Sequence, residues 1–241
     1  DRTTVPEALG DALDALDAVA SRLPWLRVHP LRTQYPQGAE KQLIKAITGR
    51  EVPSGKLPLH VGVIVQNVGT AFAAFEAVYQ GKPLVERVVT ISGGALASPK
   101  NLLLPLGMLA EDAVALCGGA TADLARVVYG GPMMGKAMRS LDAPVMKGTS
   151  GILLLTHAEA PLVAEEDCIR CGLCVSACPQ GLMPCDLATL AEFEGLKQAG
   201  DMGLLDCVEC GSCNFICPAR RRLVQWIRLG KARFRALPKT A

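Results

Sequence analysis

Cys168-Ile169-Arg170-Cys171-Gly172-Leu173-Cys174-Val175-Ser176-Ala177-Cys178-Pro179 is answered further on by Cys207-Val208-Glu209-Cys210-Gly211-Ser212-Cys213-Asn214-Phe215-Ile216-Cys217-Pro218. Both stretches spell C-x2-C-x2-C-x3-C-P, the bacterial ferredoxin spacing for 4Fe–4S clusters. Three closely spaced thiolates wrap one face of a cubane. The fourth, behind a longer spacer and before proline, points toward the neighbouring cluster. The spacing therefore predicts one cluster on Cys168, Cys171, Cys174 and Cys217, and a second on Cys207, Cys210, Cys213 and Cys178. Gly172 and Gly211 let the backbone approach each cluster. Structural zinc also accepts four thiolates, but it needs two CxxC pairs, not two complete runs with trailing prolines. Cys185, behind Pro184, and the isolated Cys117 read as small buried residues rather than ligands.

Outward from the cysteines, the chain changes texture twice. From about residue 160 onward it reads as helical segments around cysteines, with Leu187, Leu190, Phe193 and Leu196 at helical spacing between the runs. Residues 84–158 read as a small sheet crossed by one helix. Strands are predicted over Arg87–Ser92, Leu102–Leu104, Val127–Tyr129 and Ile152–Thr156, and a helix from Leu109 to Cys117 that stops at Gly118-Gly119. Residues 1–83 read as α/β. A helix over residues 5–23 is capped by Thr4, with Leu9, Leu13, Leu16, Val19 and Leu23 on one face. Strands follow at Leu26–His29 and Val61–Gln66, and helices at Glu40–Thr48 and Thr70–Tyr79, closed by Gly49 and Gly81. The fold class is thus multi-domain, α/β and α+β, divided at 1–83, 84–158 and 159–241.

The 241 residues are 50% hydrophobic, enough for a sizeable core, and the net charge of +2 makes no general case for nucleic acid. Tight CxxC runs in one segment indicate metal in a reducing compartment rather than a secreted disulfide scaffold. No apolar stretch approaches the ~18 residues that span a membrane, so membrane association is expected through a partner or the surface. The chain opens at Asp1 without a leader pattern and reads as a fragment of something longer. His29, His60 and His157 are scattered without ligand spacing. No Ser/His/Asp set and no catalytic pair of carboxylates emerges. The tail carries Arg220, Arg221, Arg222, Arg228, Lys231, Arg233, Arg235 and Lys239, with no acidic residue after Glu209. It reads either as a solvated helix end or as a dock for an acidic ferredoxin-like partner or an anionic membrane surface.

Several motifs, in order, resemble one family. Tyr35-Pro36-Gln37-Gly38-Ala39-Glu40-Lys41-Gln42-Leu43-Ile44, Thr48-Gly49-Arg50-Glu51-Val52-Pro53 and Gln66-Asn67-Val68-Gly69-Thr70-Ala71 are similar to the RnfC family, which supplies one subunit of the Rnf ion-translocating electron-transport complex. So are Gly130-Gly131-Pro132-Met133-Met134-Gly135 and Cys168-Ile169-Arg170-Cys171-Gly172. The resemblance covers residues 26–233. It implies part of a flavin- and NADH-binding α/β domain, then a β-grasp domain of the soluble-ligand-binding (SLBB) type, then a helical ferredoxin domain with two clusters. It implies FMN and NAD(H) as further cofactors, with Tyr35, Gly38, Glu40, Gln66 and Asn67 on the flavin side. By spacing alone, the Tyr35–Lys41 loop is a turn and cap, Asn67 an ordinary helix cap, and Gly130–Gly135 a plain turn.

The implied role is a membrane-peripheral electron-transfer subunit of a ferredoxin:NAD+ oxidoreductase on the cytoplasmic face of the bacterial inner membrane. Its partners would be the other Rnf subunits and a ferredoxin-type carrier. A cobalamin reductase of the same architecture and a flavin-free electron wire are the alternatives. Two departures stand out. The family's glycine-rich flavin loop would lie upstream of Asp1, so this stretch alone is expected not to oxidise NADH. Arg221-Arg222 also replace the family's Ile-Pro step after the last cluster cysteine.

Overall fold

A computed structural model describes residues 16–238. They fall into two units, one up to Val65 and one from Gln66 onward. The predicted helix over residues 5–23 lies partly outside the described residues; within them, 16–20 are helical.

In the first unit, helix α1 (Glu40–Thr48) buries Ile44 and ends at Gly49, whose φ of 71° closes the last turn. Pro58–Val61 forms a single 3-10 turn. The segments at 26–29 and 63–66 carry no regular secondary structure, so the two strands predicted there do not form. A strand is defined by its ladder of interstrand hydrogen bonds, and the described residues of this unit supply no partner.

The second unit opens with helix α2 (Val68–Gln80), closed by Gly81. Strands β1 (Glu86–Ser92), β2 (Lys100–Pro105), β3 (Leu124–Tyr129), β4 (Lys136–Met138) and β5 (Gly151–Thr156) build one mixed sheet in the order β2-β1-β5-β3-β4. β1 runs antiparallel to β2 and parallel to β5, and β3 is antiparallel to both of its neighbours. Inward-facing Val89, Ile91, Ile152 and Leu154 meet Ala110, Ala113 and Val114 of helix α3 (Ala110–Ala115), with Cys117 fully buried beside them. The expected small sheet crossed by one helix is therefore present. Gly93 ends β1 at φ 117°, and a side chain there would collide with the Leu154 carbonyl of β5. Edge strand β4 has no signature in the sequence, because Lys-Ala-Met carries no β-branched residue.

The cysteine region is a two-fold internal repeat. Every cysteine of the first run has its counterpart 39 positions later, Cys168 with Cys207 through Cys178 with Cys217. The elements keep the same offset. Short helices α4 (Leu173–Ser176) and α7 (Ser212–Ile216) follow Gly172 and Gly211. Helices α5 (Pro184–Glu192) and α8 (Leu223–Ala236) follow the trailing prolines and cross each other tightly. The helix expected over 187–197 breaks at Glu194, φ 63°, and resumes as α6 (Leu196–Asp201). Leu187, Ala188, Leu223, Val224 and Ile227 form the core between the repeats. The segments before and after the pair are joined as well: Glu166 N–H donates to the Ala219 carbonyl at 3.0 Å.

Candidate functional site

The repeat sorts the cysteines into two hollows. One is walled by Cys168, Cys171 and Cys174 of the first run together with Cys217 of the second. The other is walled by Cys207, Cys210 and Cys213 of the second run together with Cys178 of the first. Each run thus lends its last thiol to the other's hollow. The third cysteine of each run lies within a short helix, α4 or α7, and the fourth lies just beyond its end.

The two hollows differ in character. The first is broad, about 1510 Å³ with its mouth included, and Cys168 and Cys171 on its rim are exposed. The second is tight, about 350 Å³, and buries Cys210 and Cys213. Burial pushes the Cys213 thiol up to about 12, helped by the sulfurs of Cys207 and Cys210 and by Cys178. Burial also raises Cys207, against a hydrogen bond donated by the Glu209 N–H to its sulfur at 3.4 Å. Thiols so placed keep their protons unless a metal takes them as thiolates.

The donor set fits a polynuclear group better than one metal ion. Mononuclear zinc needs four sulfurs about 2.3 Å from one point. Among the described residues, no three cysteine, histidine or carboxylate side chains converge to hold a single ion. Sulfurs spread around a hollow suit a group with a body of its own, such as a cubane.

Around the second hollow lies an ion network that sequence reading missed. The Lys231 ammonium, only 6% exposed, donates to the Cys207 carbonyl at 2.6 Å and to Glu209 Oε1 at 2.8 Å. Arg228 Nε donates to Glu209 Oε2 at 2.7 Å. Burial alone would raise the Glu209 carboxyl, but these two cations outweigh it and hold it below the usual carboxylate range. Near the first hollow, Arg221 Nη2 donates to Glu192 Oε2 at 2.9 Å, and its Nε lies 3.2 Å from Glu165 Oε1 in a charge contact off the hydrogen-bonding axis. Arg221, Arg228 and Lys231 of the basic tail are therefore drawn inward. Arg220, Arg222, Arg233 and Arg235 stay on the surface, and Lys239 lies outside the described residues.

Cys185 lines the first hollow beside Cys174, and burial followed by that neighbour pushes its thiol up to about 11. Of the residues expected on the flavin side, Tyr35 and Gly38 lead into Glu40, the first residue of α1. Ala39 caps that helix without a side-chain hydrogen bond, and a side chain at Gly38 would meet nothing within 4 Å. Gln66 and Asn67 open the second unit. Asn67 Oδ1 accepts from the Gly69 N–H at 2.9 Å as a helix cap.

No helix among the described residues is long and apolar enough to cross a membrane. Three family descriptions match successive stretches of the chain. Residues 3–76 match the Nuo51 FMN-binding domain, 88–137 the SLBB domain, and 167–221 the 4Fe-4S dicluster domain. The chain is 52% identical over 212 residues, 88% of its length and 46% of the relative's, to the C subunit of the proton-translocating ferredoxin:NAD(+) oxidoreductase complex of Clostridium ljungdahlii. It is 46% identical over 221 residues, 92% of its length and 50% of the relative's, to the C subunit of the Na(+)-translocating ferredoxin:NAD(+) oxidoreductase complex of Acetobacterium woodii. The C subunit of the ion-translocating oxidoreductase complex of Rhodobacter capsulatus is 46% identical over 208 residues, 86% of this chain and 40% of that one. The chain spans half or less of the length of these relatives. Over that span it is similar to the C subunits of the RnfC family of ion-translocating electron-transport complexes.

Proposed function

We propose that this chain conducts electrons between NAD(H)-linked flavin chemistry and the membrane subunits of a ferredoxin:NAD+ oxidoreductase, through two 4Fe–4S clusters. The first cluster is assigned to Cys168, Cys171, Cys174 and Cys217, the second to Cys178, Cys207, Cys210 and Cys213. The observation that carries this reading is the pair of hollows, each ringed by three thiols of one run and the fourth of the other. The clusters supply one-electron transfer; the chain holds them close together and controls access to them. Exchange of Cys178 and Cys217 ties the two centres into one rigid body, which favours fast transfer between them.

The flavin-side role is assigned to Tyr35, Gly38, Glu40, Gln66 and Asn67, within a part comprising residues 1–83. The sheet occupies 84–158 and the cluster part 159–241. The helix end at Ala39, free of a side-chain cap, suits a phosphate. The Glu40 carboxylate would repel one, so its role falls to a donor such as a ribityl hydroxyl or a ring N–H. The partners in this reading are the other subunits of the complex and a ferredoxin-type carrier, with the chain peripheral on the cytoplasmic face of the bacterial inner membrane. Anaerobic purification followed by iron and sulfide analysis tests the core of the proposal. About eight iron and eight sulfide per chain are expected for two cubanes; zinc without sulfide would overturn it.

A further inference from the structure

The glycine-rich stretch Gly130–Gly135 belongs to neither the cysteine runs nor the residues assigned to the flavin, yet it lies directly against the second cysteine run. Gly211, which sits between Cys210 and Cys213 at φ 84°, lies so near this loop that a Cβ would stand 2.7 Å from the Met133 carbonyl oxygen. The Met133 methyl would be 3.7 Å away. Beside it, Arg228 Nη2 donates to the Met134 carbonyl at 3.4 Å while its Nε holds Glu209. Glu209 is bound in turn to Lys231, and Lys231 to the Cys207 carbonyl. A continuous chain of charge-assisted hydrogen bonds thus runs from the loop into the ligand turn.

The internal repeat supplies a control within the same molecule. Gly172 is the counterpart of Gly211 and shares its backbone conformation, φ 76°, but a Cβ there would meet nothing within 4 Å. Cys168 and Cys171 are exposed, where Cys210 is buried and Cys207 half-buried. Of the two equivalent ligand turns, the second is therefore covered and the first is bare.

We infer that the Gly130–Gly135 loop is a clasp over the second cluster, held shut by Arg228 and Glu209, and that it shields that cluster from solvent-borne reagents while the first stays open. Reagents reach a covered site only through local opening, so removing the tie raises the open population. This inference rests on the two-cluster reading above.

The test uses the anaerobically purified holoprotein and a ferrous chelator in excess. Iron release is followed in time, with iodoacetamide added after the first phase and the labelled cysteines identified by mass spectrometry. Wild type is expected to lose iron in a fast and a slow phase of similar size, with Cys168 and Cys171 labelled first and Cys207 and Cys210 protected. In Arg228→Gln the slow phase is expected to quicken several-fold while the fast phase keeps its rate. Replacement of Pro132, Met133 and Met134 by a Gly-Ser-Gly turn should do the same by a different route. A single phase in wild type, early labelling of Cys207, or a slow phase untouched by both variants would overturn the clasp. Iron content far below two clusters at the outset would instead defeat the reading on which it rests.

Discussion

Cys185 shows how the repeat settles a single residue. Its counterpart 39 positions on is Val224, which lines the second hollow as Cys185 lines the first. One half of the repeat builds its hollow with an aliphatic side chain here, so the position calls for a small filler and not a fifth ligand. Cys185→Val is therefore expected to keep about eight iron per chain and both paramagnetic signals; loss of iron would make Cys185 a ligand. The cysteine runs were legible in the sequence because spacing alone constrains a ligand turn. The charges around them were not. Glu165 and Arg221, or Glu209 and Lys231, are far apart in sequence, and only tertiary folding brings such partners together. Arg228 and Lys231 sit in a run of basic residues that reads as a solvated helix end, yet both face Glu209.

Helices and strands divide by what stabilises them. α1, α2 and every strand of the central sheet except β4 were legible because caps, glycine stops and β-branched runs are local signals. The segments at 26–29 and 63–66 have strand-like patterns but no neighbour to pair with among the described residues of their unit. The break between α5 and α6 was hidden inside an unbroken apolar periodicity. The crossing of α5 and α8 depends on Gly230: a Cβ there would stand 2.7 Å from the Ala191 Cβ, which is itself fully buried. Gly→Ala within a helix gains about 1 kcal/mol from backbone propensity, while overpacking a close crossing costs about 1–3 kcal/mol. Packing should win at this site. Gly230→Ala is expected to be less stable by about 1 kcal/mol, seen as a lower midpoint in chemical unfolding of the holoprotein. An unchanged or raised midpoint would show that the helices can part at little cost.

At the scale of the whole molecule, three family matches follow one another, the last of them over a duplicated cysteine run. The duplication explains why two hollows occur and why they exchange thiols. The asymmetry laid over it, one hollow broad and one tight, leaves Cys168 and Cys171 exposed and buries Cys210 and Cys213. The exchange of fourth ligands is the central claim, because it makes the two clusters one structural unit. Cys178→Ala, examined by electron paramagnetic resonance of the reduced protein, tests it most directly. The account predicts that the cluster on Cys207, Cys210 and Cys213 is lost or reduced to three irons, that Cys207→Ala disturbs the same signal, and that the cluster on Cys168, Cys171 and Cys174 persists in both variants. If Cys178→Ala and Cys168→Ala instead remove one common signal and spare the other, each run binds its own cluster and the claim is contradicted.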